Sequence, residues 1–159
     1  MAHEYKATVS WKRGEAVFSD GKYSRAHQWS FDGGVTVPAS SSPLSVRLPY
    51  SRADAVDPEE AFVAALSSCH MLTFVYLAQR GGYVVDAYDD EAIGVMAKNA
   101  RGKLFVSRVT LRPRIAFSGA KQPGAADLAE LHHHAHEECY IANSVLTEVV
   151  VEPASTSGA

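Results

Sequence analysis

One stretch of the chain, residues 57–80, is apolar on nearly every side of the helix that it predicts. Asp57 suits the N-cap, Pro58 the first helical position, and Glu60 the place where a capping box has its carboxylate. The glycines at 81–82 supply the stop. A helix without a polar face has to be covered on all sides. Since a chain of 159 residues can cover it only in part, the pattern predicts a second subunit.

The same stretch is about as long as a membrane span. Its centre nevertheless carries polar side chains, which favour a buried helix of a soluble protein; these are Ser67, Ser68, Cys69, His70 and Thr73. Residues 1–6 lack the charged-then-apolar pattern of a signal peptide. We therefore expect a cytoplasmic protein without a membrane partner.

Alternation of apolar and polar positions predicts strands before this helix. Residues 4–12 form a half-buried strand, and residues 23–31 form a second one. The turn residues 32–34 lead from the second strand into 35–37, which predicts a hairpin. A long irregular loop, residues 38–55, follows, and loops of this length are often functional.

Period-two alternation returns after the helix, with strands at 83–86 and 91–98 and a hairpin turn at 99–102. Residues 103–117 give the clearest alternation in the chain. Pro113 makes that strand an edge strand or marks a bulge.

A second helix is predicted from Asp127 to about Glu138, and a last strand covers 145–152. Spacings of three and four place Leu128, Leu131, Ala135 and Cys139 on one side of this helix, with the charged and imidazole groups on the other. The order of strands, helix, strands, helix and strand predicts an α+β fold, with antiparallel sheet packed on two helices.

The length, the net charge, the number of cysteines and the absence of known motifs limit the classes of protein to which this chain could belong. The length suits one domain, which we place at residues 1–152, followed by a disordered tail at 153–159. A net charge of −3 argues against a nucleic-acid or anionic-membrane partner. Two cysteines do not make a disulfide scaffold, so they are a redox pair, two buried thiols or parts of a metal site. Rossmann, P-loop and zincin motifs are absent from the sequence.

Cys69, at the middle of the long helix, is either a small buried hydrophobe or a reactive thiol. A reactive thiol has to ionise, and burial opposes that unless a cation is near. Cys139 also points toward the core, and the two sulfurs could pair if their Cα atoms lie within about 7 Å. Glu59 has no capping role, and it lies about 15 Å from Cys69 along the helix. It would therefore act most easily on the cysteine of a partner chain.

The spacing of His132, His136 and Cys139 could bind a metal ion, although a solvated helix face explains these histidines as well. A catalytic zinc would need a third ligand that the sequence does not place. The sequence therefore predicts neither a metal nor another cofactor.

Two motifs resemble those of the OsmC/Ohr family, the osmotically inducible and organic hydroperoxide resistance proteins. The first joins Asp57-Pro58-Glu59-Glu60 to Ala64-Ala65-Leu66-Ser67-Ser68-Cys69, and the second runs from Ala135 to Val145 around Cys139. The likeness extends over nearly the whole chain. It implies an α+β fold built as an intertwined homodimer, in which sheets wrap two long central helices.

The resemblance also implies chemistry. Cys69 would be the peroxidatic cysteine and Cys139 the resolving one. Glu59 would hold the arginine that activates the thiol, for which Arg25 is the first choice and Arg47 the second. The implied substrate is an organic hydroperoxide, and the implied reductant is an external thiol or a lipoyl-type group.

Departures from the family pattern leave the substrate and the reductant open. Ser67 and Ser68 stand where the family has small apolar residues, and Tyr140 replaces a proline common in the Ohr branch. Two other functions therefore remain. One is a non-catalytic OsmC-like protein that binds a small apolar ligand at the dimer interface, and the other is metal binding through the segment from His132 to Cys139.

Overall fold

The computed structural model of the protein describes residues 2–152, which form an α+β fold and confirm the predicted class. In chain order the elements are β1 (Ala7–Ser10), β2 (His27–Phe31), β3 (Thr36–Ala39), α1 (Pro58–Arg80), β4 (Val84–Asp90), β5 (Ile93–Lys98), β6 (Leu104–Leu111), β7 (Pro113–Ser118), α2 (Ala125–Glu138), a short 3-10 helix (Ala142–Ser144) and β8 (Glu148–Val151). They fall into two compact units that divide between Ala61 and Phe62. The single domain over 1–152 stays a prediction, and the predicted tail at 153–159 lies outside the described residues.

The first unit contains an antiparallel sheet in the order β1-β2-β3. The predicted hairpin is confirmed: the Phe31 amide donates to Val35 O and the Gly34 amide to Phe31 O, both at 3.0 Å. Gly34 has a φ of 87°, which a residue with a Cβ adopts only under strain. All four residues of β1 are exposed, so the expected half-burial of this strand does not arise within the chain itself.

Helix α1 begins and ends where its sequence predicts. Asp57 Oδ1 accepts the Glu60 amide at 2.8 Å, and Glu60 Oε2 accepts the Asp57 amide at 3.3 Å, which completes a reciprocal capping box. At the other end Gly82 has a φ of 80°, and the Tyr83 amide donates to Ala78 O at 3.0 Å. These bonds satisfy backbone groups that a helix leaves unpaired at its ends.

The chain buries only one stripe of α1, spaced four residues apart and made of Leu66, His70, Phe74 and Ala78. Leu72 on another side is 63% exposed. By length and composition alone α1 could cross a membrane. Its buried stripe, however, includes an imidazole that hydrogen-bonds to α2, so α1 is the core helix of a folded unit.

The second unit holds two sheets, an antiparallel pair β4-β7 and a three-stranded sheet β5-β6-β8. The prediction of one strand over 103–117 is wrong, because the chain leaves one sheet after Leu111 and enters the other at Pro113. Pro113 has no amide hydrogen to donate, and the Arg112 amide bonds to Asp90 Oδ1 at 2.6 Å instead of to a strand. The antiparallel prediction is also wrong for β8, which pairs parallel to β6.

Two hydrophobic clusters form the core of this second unit. One joins Leu66 to Val109 and Leu111, and the other joins Phe74 and Ala78 to Ala135. Successive turns of α1 thus pack first on β6 and then on α2. This arrangement leaves Cys69 between the two clusters along the helix.

Replacing Asp57 with alanine should destabilise the protein, because the side chain is 8% exposed and its carboxylate caps α1. We expect Asp57→Ala to lower the free energy of unfolding by about 1–2 kcal/mol in urea titrations. Asp57→Asn is the matched control, since asparagine also caps helices. Equal losses in both variants would contradict the capping role.

Candidate active site

The two cysteines come together although about 70 residues separate them. Cys69 lies on α1, Cys139 is the C-cap residue of α2, and neither is in a disulfide. They lie close enough that Cys69 raises the pKa of Cys139. The expectation that both cysteines face the interior therefore leads to two neighbouring thiols.

The two cysteines differ in exposure, and Cys139 has a raised pKa. Cys139 is 1% exposed, whereas Cys69 is half-buried. Burial raises the pKa of Cys139 to about 11, with a further contribution from its hydrogen bond with Cys69. The Ala142 amide, 3.4 Å from Cys139 Sγ, opposes that shift. Cys139 is therefore protonated at neutral pH, and Cys69 is the more exposed of the two cysteines.

The turn after α2 holds Cys139 in place. The Cys139 carbonyl accepts the Asn143 backbone amide and Asn143 Nδ2, both at 3.0 Å. Nδ2 also donates to Glu137 O at 2.7 Å. Asn143 thus satisfies carbonyls that the helix end leaves unpaired. Sequence reasoning assigned Asn143 no role, and its one signal was an asparagine four residues after the cysteine.

Arg25 and Glu59 both lie in the first unit. The Arg25 guanidinium carbon is 3.9 Å from the centre of the Tyr23 ring, and Nη1 donates to Gly21 O at 2.8 Å and to Tyr23 O at 2.6 Å. Glu59 is half-buried. Within residues 2–152 neither side chain forms an ion pair, so their expected contact is not made inside one chain. Arg47, the second choice, is exposed, with its guanidinium carbon 5.7 Å from the Tyr50 ring centre.

A cavity of about 390 Å³ opens beside Arg25 in the first unit. Its walls are mostly aromatic and include Trp11, Phe18, Tyr23, His27 and Ser41. Phe18 stacks on Tyr23 with ring centres 4.8 Å apart, and Trp11 meets Tyr23 edge-on at 5.5 Å. The buried Ser41 Oγ has no hydrogen-bond partner in the described part of the chain. The cavity can accept an apolar group beside one cation and one hydroxyl.

Buried histidines join α1 to α2 next to the cysteines. His70 Nε2 and His132 Nδ1 are 3.0 Å apart, and the rings stack with an angle of 11° between their planes. His132 is only 5% exposed, so its predicted place on a solvated face is wrong. Burial lowers the pKa of both residues to about 4, and for His70 the neighbouring His132 and His136 lower it further. Both imidazoles are therefore neutral at pH 7.

No group of three or more His, Cys, Asp or Glu side chains within residues 2–152 is arranged to hold a metal ion. The helical spacing of His132, His136 and Cys139 does not by itself make a ligand set, because His132 is bonded to His70.

An α+β fold with two neighbouring thiols, one on α1 and one at the end of α2, defines a class of dithiol proteins. The family model described as "OsmC-like protein" matches residues 51–154, so the chain belongs to the OsmC-like family. The family predicted from the two motifs is thereby confirmed. A comparison with curated proteins gave no match.

Solved structures confirm the OsmC-like fold. An OsmC-like protein of unknown function from Vibrio cholerae is 52% identical, with a TM-score of 0.93 over 96% of this chain and 99% of that one. The organic hydroperoxide resistance protein OhrB of Bacillus subtilis is 18% identical, with a TM-score of 0.64 over 96% and 97% of the two chains. An organic hydroperoxide resistance protein from Elizabethkingia anophelis is 15% identical, with a TM-score of 0.69 over 97% of this chain and 96% of that one. At these lower identities the likeness shows the fold alone.

The buried histidine pair should make stability depend on pH. Because the pKa of His70 and His132 is about 4 in the folded chain and near 6.5 when unfolded, the unfolded state binds more protons between these values. Stability should therefore be full above pH 6.5 and fall toward pH 4, by an amount on the order of a few kcal/mol.

Imidazole NMR signals followed against pH provide the check. Two of the seven histidines should stay neutral until about pH 4. If all seven were protonated by about pH 5.5, the burial argument would fail.

Proposed function

We propose that the protein is a thiol-dependent peroxidase that reduces organic hydroperoxides to alcohols, acting as a cytoplasmic homodimer. The observation that carries this proposal is the proximity of Cys69, which is half-buried, to Cys139, which is buried and protonated. Membership in the OsmC-like family and a fold shared with organic hydroperoxide resistance proteins support it.

The exposures of the two cysteines support the role of each. The thiolate of Cys69 attacks the distal peroxide oxygen, which breaks the O–O bond and leaves a sulfenic acid on Cys69 and, after protonation, an alcohol. Cys139 then attacks the Cys69 sulfur, which releases water and forms a disulfide. An external thiol or lipoyl-type reductant restores the two thiols. A buried Cys139 suits the second step, because it meets Cys69 but not the hydroperoxide.

A thiolate is the nucleophilic form of a cysteine, and a neighbouring cation favours it. We propose Arg25 as that cation beside Cys69, with Glu59 holding its guanidinium by charge-assisted bonds. Within residues 2–152 backbone carbonyls use Nη1 of Arg25, so the rest of the guanidinium is available to a carboxylate. Arg47 remains the second choice because its exposed side chain is less firmly held.

Exposed apolar side chains on α1 support a homodimer. Leu72 is 63% and Tyr76 59% exposed, an unusual state for the centre of a helix. They line a groove of about 570 Å³ whose other wall includes Glu137 of α2 and Tyr140 just beyond the end of that helix. A second copy of α1 would cover this face and could also bring Glu59 to the partner's cysteine.

A second candidate function is ligand binding without turnover. The aromatic cavity beside Arg25 favours it, because 390 Å³ is enough for a small apolar ligand. A binding protein of this kind would leave both thiols reduced after exposure to peroxide.

Cumene hydroperoxide consumption with a dithiol reductant tests the leading proposal. We expect turnover by the wild type and a loss of at least about 100-fold in Cys69→Ser, because the attacking thiolate is missing. One equivalent of hydroperoxide should also lower the intact mass of the wild type by two hydrogens per chain.

Cys139→Ser separates the two steps in the same assay. It should still form a sulfenic acid, which dimedone traps at Cys69, but it should not form the intramolecular disulfide. Wild type and Cys69→Ser consuming peroxide at equal rates would end the peroxidase proposal and favour ligand binding.

The dimer can be tested by placing a charge on α1. Leu72→Glu should shift the sedimentation coefficient from a dimer to a monomer, because a carboxylate would be buried without a partner. Leu44→Glu is the matched control, since Leu44 is 99% exposed and lies in the long loop. A wild-type chain that sediments as a monomer would refute the dimer directly.

A further inference from the structure

The second step of the proposed reaction needs a proton acceptor. Cys139 can attack the Cys69 sulfenic acid only as it loses its S–H proton. Its pKa of about 11 leaves very little thiolate at neutral pH. Water cannot easily take the proton, because Cys139 is 1% exposed. A base held in the protein would remove this barrier.

The histidines between α1 and α2 lie where such a base is needed. His136 is one turn from His132 and three residues before Cys139, which is roughly 5 Å along the axis in each direction. The Cys139 amide donates to His136 O at 3.4 Å. His136 is also close enough to His70 that its charge lowers the pKa of His70. His136 is therefore about one helical turn from both the buried histidine pair and the resolving cysteine.

Unsatisfied nitrogens give these histidines the capacity to move a proton. His70 Nδ1 and His136 Nδ1 are both buried without a hydrogen-bond partner in the described chain. His70 itself is 1% exposed. A buried polar atom without a partner is costly, and a proton acceptor is one role that explains why such atoms persist. The hydrogen bond between His70 and His132 extends the path by one more imidazole.

We propose that His136, backed by the His70–His132 pair, accepts the proton of Cys139 as that residue closes the disulfide with Cys69. The S–H bond of Cys139 breaks and an S–S bond forms. The sulfenic hydroxyl leaves Cys69 and receives the proton through the imidazoles, so that one water is released. No further oxidant or reductant enters. The inference rests on the proposed peroxidase function.

Other titratable groups around the relay are consistent with it. Helix α1 contributes Cys69, and β4 contributes Asp90, whose charge acts on His132, and Tyr88, whose ring packs against Phe74. Burial, together with Asp90, raises the pKa of Tyr88, which therefore stays protonated. Asp90 favours a positive charge on His132, so a proton passing through the pair meets one stabilising carboxylate.

Single-turnover kinetics on the full-length protein test the relay. Cumene hydroperoxide is mixed with the reduced protein, and disulfide closure is followed by acid quench and intact mass. His136→Gln should slow closure at pH 7 by about tenfold or more, and less at high pH, where hydroxide replaces the base. Added imidazole should restore part of the rate, which a merely structural role would not allow. His133→Gln is the matched control, since His133 is exposed on the same helix and pairs only with Glu137 at 3.3 Å.

The outcomes separate the inference from the proposed function. If Cys139→Ser forms no sulfenic acid at Cys69, both the peroxidase proposal and the proton relay are refuted. If the sulfenic acid forms but His136→Gln closes the disulfide with the wild-type rate and pH profile, only the relay is overturned. Should His136→Gln fail to fold, wild-type closure in D₂O decides: a slower closure supports the relay, and an unchanged rate overturns it.

Discussion

The position of both sulfurs depends on the packing of α2 against α1. Ala78 and Ala135 are fully buried in the hydrophobic cluster that joins the two helices. The hydrogen bond between His70 and His132 adds direction to that contact. Two buried imidazoles would be costly without each other, and a shift of α2 by one residue would break the bond. The histidine pair therefore fixes the register that delivers Cys139 to Cys69.

Once α2 is held in that register, the two thiols differ because they are buried to different extents. The sulfur at the end of α2 lies deep and holds its proton, whereas the sulfur on α1 is half-buried and can meet a reagent. Both residues are cysteines, so the difference between them comes from their surroundings. It follows from one cysteine closing a helix under the turn that Asn143 secures, and the other lying between the two hydrophobic clusters.

The sequence predicted those parts of the structure that local chemistry determines. Capping residues and glycines gave the limits of α1, and turn residues gave the hairpin at 32–34, because these signals act within a few residues. Alternation could not show that the chain changes sheets at Pro113 or that β8 runs parallel to β6. An alternating pattern shows which residues share a face of a strand, but it does not show which strand lies beside it. The burial of His132 was missed because an imidazole suits a core as well as a surface once it has a hydrogen-bond partner.

A single chain does not bring all of the predicted site residues together. The imidazoles that adjoin the cysteines are neutral, because burial keeps the pKa of His70 and His132 low. They can accept a proton, but they cannot stabilise a thiolate by charge. Under the proposed function, Cys69 would therefore need a guanidinium. Among residues 2–152, Arg25 donates to two carbonyls through Nη1, and Glu59 forms no ion pair. The apolar face of α1 around Leu72 stays exposed in the single chain. The proposed association of two chains would cover this face, which lies on the same helix as Cys69.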